Sequence, residues 1–391
     1  MKRKIAVVTT SRADYSHLYW PLRQLSAHPD VDLRIIVMGA HLSPEFGSTV
    51  QEIERDGFKI DARVECLLSS DTDVGMAKTI AVATLSLADI FGQMRPDLLL
   101  LIADRYEMLA PASVALALRI PIAHIEGGEI SERAIDDAVR NALTKMSHIH
   151  FTSTQAARER VIAMGEESWR VHRTGAPSLD HLRRQTLFTR EQVESRLGGG
   201  LKHPTILVAY HPVTLARDTV REAGALFEAL HELPDQILFC YPNADAGSRN
   251  LIERARSFAS SREAAHVFVN LDALTYWSLL KQVDVLLGNS SSGIMESASF
   301  ALPTVNVGLR QQGRERPRNV IDAAPDFRAI LDAIAAAESL GFRRSLQGMA
   351  NPYGEGLASE KIAEVLTTVP LGEELLVKRH EPLSALSNSA R

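Results

Sequence analysis

The chain has 391 residues, 45% of them hydrophobic and 23% charged, with a formal net charge of −5 and a mean hydropathy near zero. That length suits two domains rather than one, the composition is that of a soluble globular protein, and the charge argues against a general nucleic-acid surface. The two cysteines, Cys66 and Cys240, stand far apart and outside any CxxC pattern, which excludes a disulfide scaffold or a cysteine zinc site and fits a reducing cytoplasm.

The first residues, Met1 to Thr10, carry too short an apolar core for a signal peptide, and no apolar run reads as long enough to span a membrane. Ile5–Thr9 is a compact β-branched run that suits the first strand of a parallel sheet. It opens onto Arg12 and Ser16 at the start of a helix with Leu18, Leu22 and Leu25 on one side, where backbone N–H groups favour an anion. No GxGxxG is present, so a dinucleotide fingerprint is unsupported. Leu33–Met38 reads as the second strand and ends in Gly39, Ala40 and His41. A polar loop over 67–75 precedes a helix with Ile80, Ala83, Leu87 and Ile90 on one side, then the apolar strand Leu98–Ile102, which stops at Ala103, Asp104 and Arg105.

Residues 119–147 form the densest junction. An apolar run through Ile125 is broken by Gly127 and Gly128, and Ile135, Val139, Leu143 and Met146 then recur at helical spacing. Glu126, Glu129, Asp136, Asp137 and Arg140 gather where strand gives way to helix, with Asp136, Asp137 and Arg140 off the apolar stripe. Left alone, this reads equally as a solvated acidic helix start or as a ligand edge. His148–Thr152 is a further strand, with His148 and His150 as packing residues.

Beyond a linker near Gly175, strands are expected at 205–209, 236–240, 266–269, 284–287 and 304–307. Strands and helices alternate in both halves, which predicts two Rossmann-like, doubly wound α/β domains: 1–175, and 176–370 with its last helix returning to the first. Residues 371–391 lose periodicity and read as a disordered tail. His211, then Asn243 and Asp245, then Asn289 to Gly293, then Arg310 and Arg314 all follow the carboxyl ends of expected strands. Such edges bind ligands in open α/β sheets, and two of them facing each other would line a cleft. Ser290, Ser291 and Gly293 suit a phosphate cradle at the start of a further helix, with Glu296 placed to meet ribose hydroxyls and Arg310 to meet a diphosphate. A Ser-rich cap and solvated arginines are the plainer alternatives. No spacing of His, Asp or Glu supports a metal site.

The ordered segments SRADYS (11–16), GAHL (39–42), ADRYE (103–107), HIEGGE with IDDAVR (124–140), HPVT (211–214), YPNADAGS (241–248), GNSSSG (288–293) and GLRQQGRE (308–315) resemble the hydrolysing UDP-N-acetylglucosamine 2-epimerases. HIEGGE with IDDAVR favours that branch over the non-hydrolysing one, which typically carries HVEAG. The resemblance implies a GT-B-like fold, cytoplasmic location, no metal or nicotinamide cofactor, and a homodimer or homotetramer with no nucleic-acid or membrane partner. It implies conversion of UDP-GlcNAc and water to N-acetylmannosamine and UDP, by elimination to 2-acetamidoglucal and then hydration, for sialic-acid-type sugars. The alternative is the same chemistry on a UDP-linked 2,4-diacetamido-2,4,6-trideoxyhexose, on the way to legionaminic acid. A GT-B glycosyltransferase and a non-catalytic sugar-nucleotide sensor are further rivals.

By resemblance, Asp104, Glu126, Asp136 and His211 are the acid–base candidates. Arg12, Ser16, His41, Arg105, Asp137, Arg140, Asn243, Asp245, Ser290, Ser291, Glu296 and Arg310 are expected to bind the UDP-sugar. Ala103 stands where the family usually has glycine, at a cost of about 1 kcal/mol if that backbone is left-handed.

Overall fold

The computed structural model describes residues 2–68, 72–130, 135–211, 219–241, 248–269 and 271–379. They form two compact units, one of residues 2–130, 135–181 and 353–379 and the other of residues 182–352.

In the first unit the strands are β1 (Arg3–Thr9), β2 (Val31–Met38), β3 (Ile60–Val64), β4 (Leu98–Ile102), β5 (Ile122–Ile125), β6 (Ile149–Thr152) and β7 (Val171–Arg173). They pair in the order β3-β2-β1-β4-β5-β6-β7, parallel throughout. The second unit carries β8 (Thr205–Ala209), β9 (Gln236–Tyr241), β10 (Ala265–Val269), β11 (Val285–Gly288), β12 (Thr304–Val307) and β13 (Val320–Ala323). Their order is β10-β9-β8-β11-β12-β13, again parallel. Each sheet reverses its winding once, between β1 and β4 and between β8 and β11, and a doubly wound sheet binds ligands beside that reversal.

Covered on both faces, the central strands are largely apolar, and Leu98–Ile102 is apolar and buried along its whole length. The helix Arg12–Ala27 packs Leu18, Leu22 and Leu25 into the first core with no exposed surface, worth about 2 kcal/mol apiece. Late in the chain the helix Ala358–Thr368 adds Ile362 and Leu366 to the same core.

Several expectations need correction. The buried face of the helix Asp73–Met94 is Thr79, Ala83, Leu87 and Phe91, which leaves Ile80 and Ile90 at its margin. Its 22 residues include a window of mean hydropathy 1.5, long and apolar enough to cross a membrane by composition. Interspersed Thr, Ser, Gly and Lys residues hide that window from a search for an unbroken apolar run. Of the loop expected at 67–75, residues 69–71 lie outside the described residues, and Thr72 already caps the helix by accepting from the Gly75 N–H at 3.0 Å.

The tail is a second correction. Glu373–Leu376 is a helical turn with Leu375 buried, so the chain stays packed past 371. Arg170, itself 1% exposed, donates to the carbonyls of Leu375, Glu374 and Val377 at 2.8–2.9 Å. Charged hydrogen bonds of this kind hold a segment that no apolar period announces. Residues 380–391 lie outside the described residues.

Candidate active site

At the end of β1, Asp14 turns back and accepts from the N–H groups of Thr10 and Ser11 at 3.0 and 3.2 Å and from the Thr10 hydroxyl at 2.5 Å. Asp14 is 4% exposed, and burial pushes its pKa up, against the pull of Arg105 and of the bonds from Thr10. The N–H groups expected to favour an anion here are therefore partly taken by a carboxylate of the chain. Arg12 is exposed at the rim, its Nε 3.6 Å from Glu52, and the Ser16 hydroxyl donates to Ala13 O at 2.9 Å. His41, expected to bind substrate, is fully buried, with Nε2 2.9 Å from Thr9 Oγ1 and Nδ1 2.7 Å from Thr49 Oγ1. Burial, reinforced by Arg105, lowers its pKa to about 4. Both ring nitrogens serve protein hydroxyls, so His41 packs the β1 edge and offers a ligand nothing.

Beyond β4, Ala103 adopts φ +59°, the left-handed conformation that costs an alanine about 1 kcal/mol. Two bonds brace it: its N–H donates to Ile125 O at 3.0 Å, and His124 Nε2 lies 2.8 Å from its carbonyl. His124 is buried and neutral, its pKa lowered to about 4 chiefly by burial. Arg105 donates to Glu107 at 2.8 Å, and Glu107 has no exposed surface. Burial would weaken the guanidinium, but Glu107 and Asp14 raise its pKa and keep it charged.

The acidic junction closes around Arg140. Expected off the apolar stripe, Arg140 is instead 3% exposed, while Ile135 at the helix's first turn is 58% exposed. Arg140 donates to Asp104 Oδ2 and, at 3.0 Å, to Glu129 O, and its Nη1 lies 3.8 Å from Asp137. A buried guanidinium is retained only where such partners surround it. Gly128 makes the junction possible: at φ +78°, an added Cβ would lie 2.3 Å from Ala157 O. Burial raises the pKa of Asp136 and Glu107 adds to it, against the attraction of Arg105, so Asp136 holds a proton more readily than a free aspartate, the direction an acid needs. Glu126 sits at φ +66° and its Oε1 lies 2.8 Å from His17 Nδ1.

In the second unit Asn289 joins the two sides of the reversal. It accepts from His211 N at 2.7 Å and donates to His211 O at 2.9 Å, while its own carbonyl accepts from Arg310 and Gln311 at 2.9 Å. The strands approach so closely that a Cβ on Gly288 would meet Ala209 O at 2.1 Å. Burial, with Arg310 adding, lowers the His211 pKa to about 4, so near neutrality its imidazole is unprotonated, the form a general base requires. Ser290 accepts from Ser292 N and Oγ at 3.4 and 3.1 Å, and Tyr276 reaches Ser292 at 2.7 Å. The expected helix does not follow: Ser291–Gly293 and Ser297–Phe300 are short 3-10 turns, with half-buried Ser291 opening the first and half-buried Glu296 preceding the second. A serine hydroxyl that bonds its own turn favours this local closure over a continuous helix.

The structure thus gathers Asp104, Arg105, Glu126, Asp136, Asp137 and Arg140 at one sheet edge and His211, Ser290, Ser291, Glu296 and Arg310 at another. Asn243 and Asp245 lie outside the described residues. Sequence reasoning missed His17, Asp14 and Glu107. The last two lie inside the quoted motifs, whereas His17 carries no signal, because its contact joins positions 109 residues apart.

A family model described as UDP-N-acetylglucosamine 2-epimerase matches residues 23–367. The chain is 37% identical over 379 residues to a hydrolysing UDP-N,N′-diacetylbacillosamine 2-epimerase of Legionella pneumophila, covering 97% of this chain and 99% of that protein. It is 30% identical over 368 residues to a UDP-N-acetylglucosamine 2-epimerase of Neisseria meningitidis, covering 93% and 95%. Among solved structures, the UDP-GlcNAc 2-epimerase of Neisseria meningitidis bound to UDP-GlcNAc aligns with a TM-score of 0.72 at 19% identity, over 93% of this chain and 99% of that one. That likeness carries the GT-B-like fold class expected from the sequence.

Proposed function

The chain belongs to the UDP-N-acetylglucosamine 2-epimerase family, and from that premise we propose that it hydrolyses UDP-2,4-diacetamido-2,4,6-trideoxyhexose with inversion at C2. The observation that carries the substrate is the 37% identity across nearly the whole of both chains to a relative named for that sugar. The relative named for UDP-GlcNAc stands at 30%, so the reading first expected for this chain gives way to its alternative.

The chemistry follows from the groups at each edge. C2–H has no adjacent carbonyl, so its proton leaves only as UDP departs and oxocarbenium character at C1 acidifies it. A carboxylate or neutral imidazole takes that proton, which casts Glu126 and His211 as base candidates and Asp136 as the acid. Arg310 and the serine turn suit the diphosphate, whose charge grows as the C1–O bond breaks. Water then adds to C1 of the glucal, and C2 is reprotonated from the opposite face. Beside these events Arg140 donates to Asp104 and lies 3.8 Å from Asp137.

Purified protein in D2O, supplied separately with the two UDP-sugars, tests the reading. The diacetamido substrate is expected to release UDP and give a manno-configured sugar with deuterium at C2, at a kcat/KM at least about tenfold above that for UDP-GlcNAc. Faster turnover of UDP-GlcNAc would restore that sugar as substrate, and UDP release without C2 deuterium would overturn the elimination. A second copy of the chain is the partner we add, seated on the outward face of the helix Asp73–Met94.

A further inference from the structure

We infer that His17 is a positioning residue for Glu126, fixing the plane in which that carboxylate meets the sugar; this rests on the reading of Glu126 as an acid–base group. His17 comes from the helix that follows β1 and Glu126 from the end of β5, with β4 between those strands. Their side chains are 29% and 14% exposed, and Nδ1 lies 2.8 Å from Oε1. An ionised carboxylate only accepts, so the imidazole N–H is the donor.

The surrounding geometry holds both partners. Glu126 spends backbone strain at φ +66°, and its N–H is tied to Phe151 O at 2.8 Å, which sets the direction in which its side chain leaves the sheet. Non-glycine residues in that conformation cost about 1 kcal/mol and concentrate where a side chain must be aimed. A glutamate still has three rotatable bonds beyond its Cα, and the imidazole contact restricts them. The helix that carries His17 is held in turn by its buried Tyr15 and Leu18 and by His181, whose Nε2 lies 2.8 Å from Ser16 O and whose ring stacks on Tyr19. Among the described residues, His181, on the helix Leu179–Arg184, faces His17, and His124, on β5, faces Glu126.

A donor to the ionised carboxylate stabilises that form, so its loss shifts the protonation of Glu126 toward higher pH. The experiment compares wild type, His17→Phe, His17→Asn, Glu126→Gln and the double variant His17→Phe/Glu126→Gln, by steady-state UDP release from the diacetamido substrate across about pH 5 to 9. His17→Phe is expected to lower kcat about tenfold or more, leave KM within about threefold, and move the acid limb of kcat/KM to higher pH. His17→Asn, whose amide still donates, recovers most of kcat. In the Glu126→Gln background, His17→Phe adds no further loss.

A wild-type kcat and acid limb in His17→Phe, with Glu126→Gln inactive, would overturn the positioning role and leave the active-site reading intact. Near-normal activity in Glu126→Gln would remove that reading and this inference together. Should the phenylalanine variant fail to fold, His17→Ala, which also removes the donor, decides: an acid limb raised above wild type supports the inference, and an unmoved one overturns it.

Discussion

Arg140 shows how a residue that pattern-reading sends to the surface becomes the centre of a site. It sits one position beyond the apolar Val139, and period alone cannot tell that its fork will meet Asp104 from β4 and Glu129 from the loop after β5. Replacing it by methionine keeps the volume and removes the charge, which strands a carboxylate 22% exposed beside a buried apolar chain. Arg140→Met is expected to cost about 3 kcal/mol in denaturant unfolding and to depress kcat by about a hundredfold or more, with Arg140→Lys intermediate because an ammonium cannot form the fork. An unfolding midpoint equal to wild type would show that the guanidinium holds nothing. Asp104, Glu126 and Asp136 were legible as a group, since each follows a strand or starts a helix. His17 was not, because its relation to Glu126 exists only once β4 has been inserted between β1 and β5.

Elements were legible in proportion to how deeply they are buried. The strands expected at the centre of each sheet agree with the structure to within two residues at either end, because burial on both faces demands continuous apolar runs. The edge strands β3, β7 and β13 were missed: Ile60–Val64 carries Asp61 and Arg63, Val171–Arg173 has three residues, and Val320–Ala323 carries Asp322. Short and charged, they blunt the sheet's open edges and so lack the signature being sought.

The corner beside β6 and β7 makes a testable case at the same scale. Glu166 has no exposed surface, which alone would raise its pKa, but His150, Lys145 and Lys378 bond it and hold it at about 2. A carboxyl depressed on folding contributes stability that is complete above its unfolded value of 4.5 and is lost as pH falls through 2. The interval corresponds to about 3 kcal/mol. Denaturant unfolding between pH 5 and 2 should therefore lose about that much more in wild type than in Glu166→Gln, which starts weaker at neutral pH. Parallel curves for the two proteins would mean that Glu166 is not held in this way. As pH falls from 6.5 toward 4 a separate, earlier loss is expected: burial, with nearby cations adding, lowers His148 from 6.5 to about 4, and its Nδ1 accepts from Ile122 N at 3.1 Å, so protonation must break a buried bond.

For the molecule as a whole, the least explained surface is the outward face of the helix Asp73–Met94. Its inner face fills the first core, yet Val74, Val82 and Leu85 are 58%, 36% and 74% exposed, and the neighbouring helix adds Leu116 at 43%. Apolar side chains grouped on one face mark an interaction site more often than decoration. Charge placement favours the second copy proposed above as its occupant. Lys78 and Asp89 lie on the same exposed face, and among the described residues neither meets an opposite charge. An antiparallel copy of this helix, related by a two-fold axis, would set Lys78 against Asp89 and Val82 against Leu85, since both pairs share one midpoint; a two-fold contact is self-complementary in this sense. Leu85→Glu is expected to convert a dimer to a monomer in sedimentation equilibrium. Lys78→Glu alone should weaken the dimer by about tenfold, and Lys78→Glu with Asp89→Lys should recover it, because only the exchanged pair restores opposite charges across the axis. A dimer indifferent to all three would place the contact elsewhere, and binding of the wild-type chain to phospholipid vesicles, abolished by Leu85→Glu, would give the face to a membrane instead.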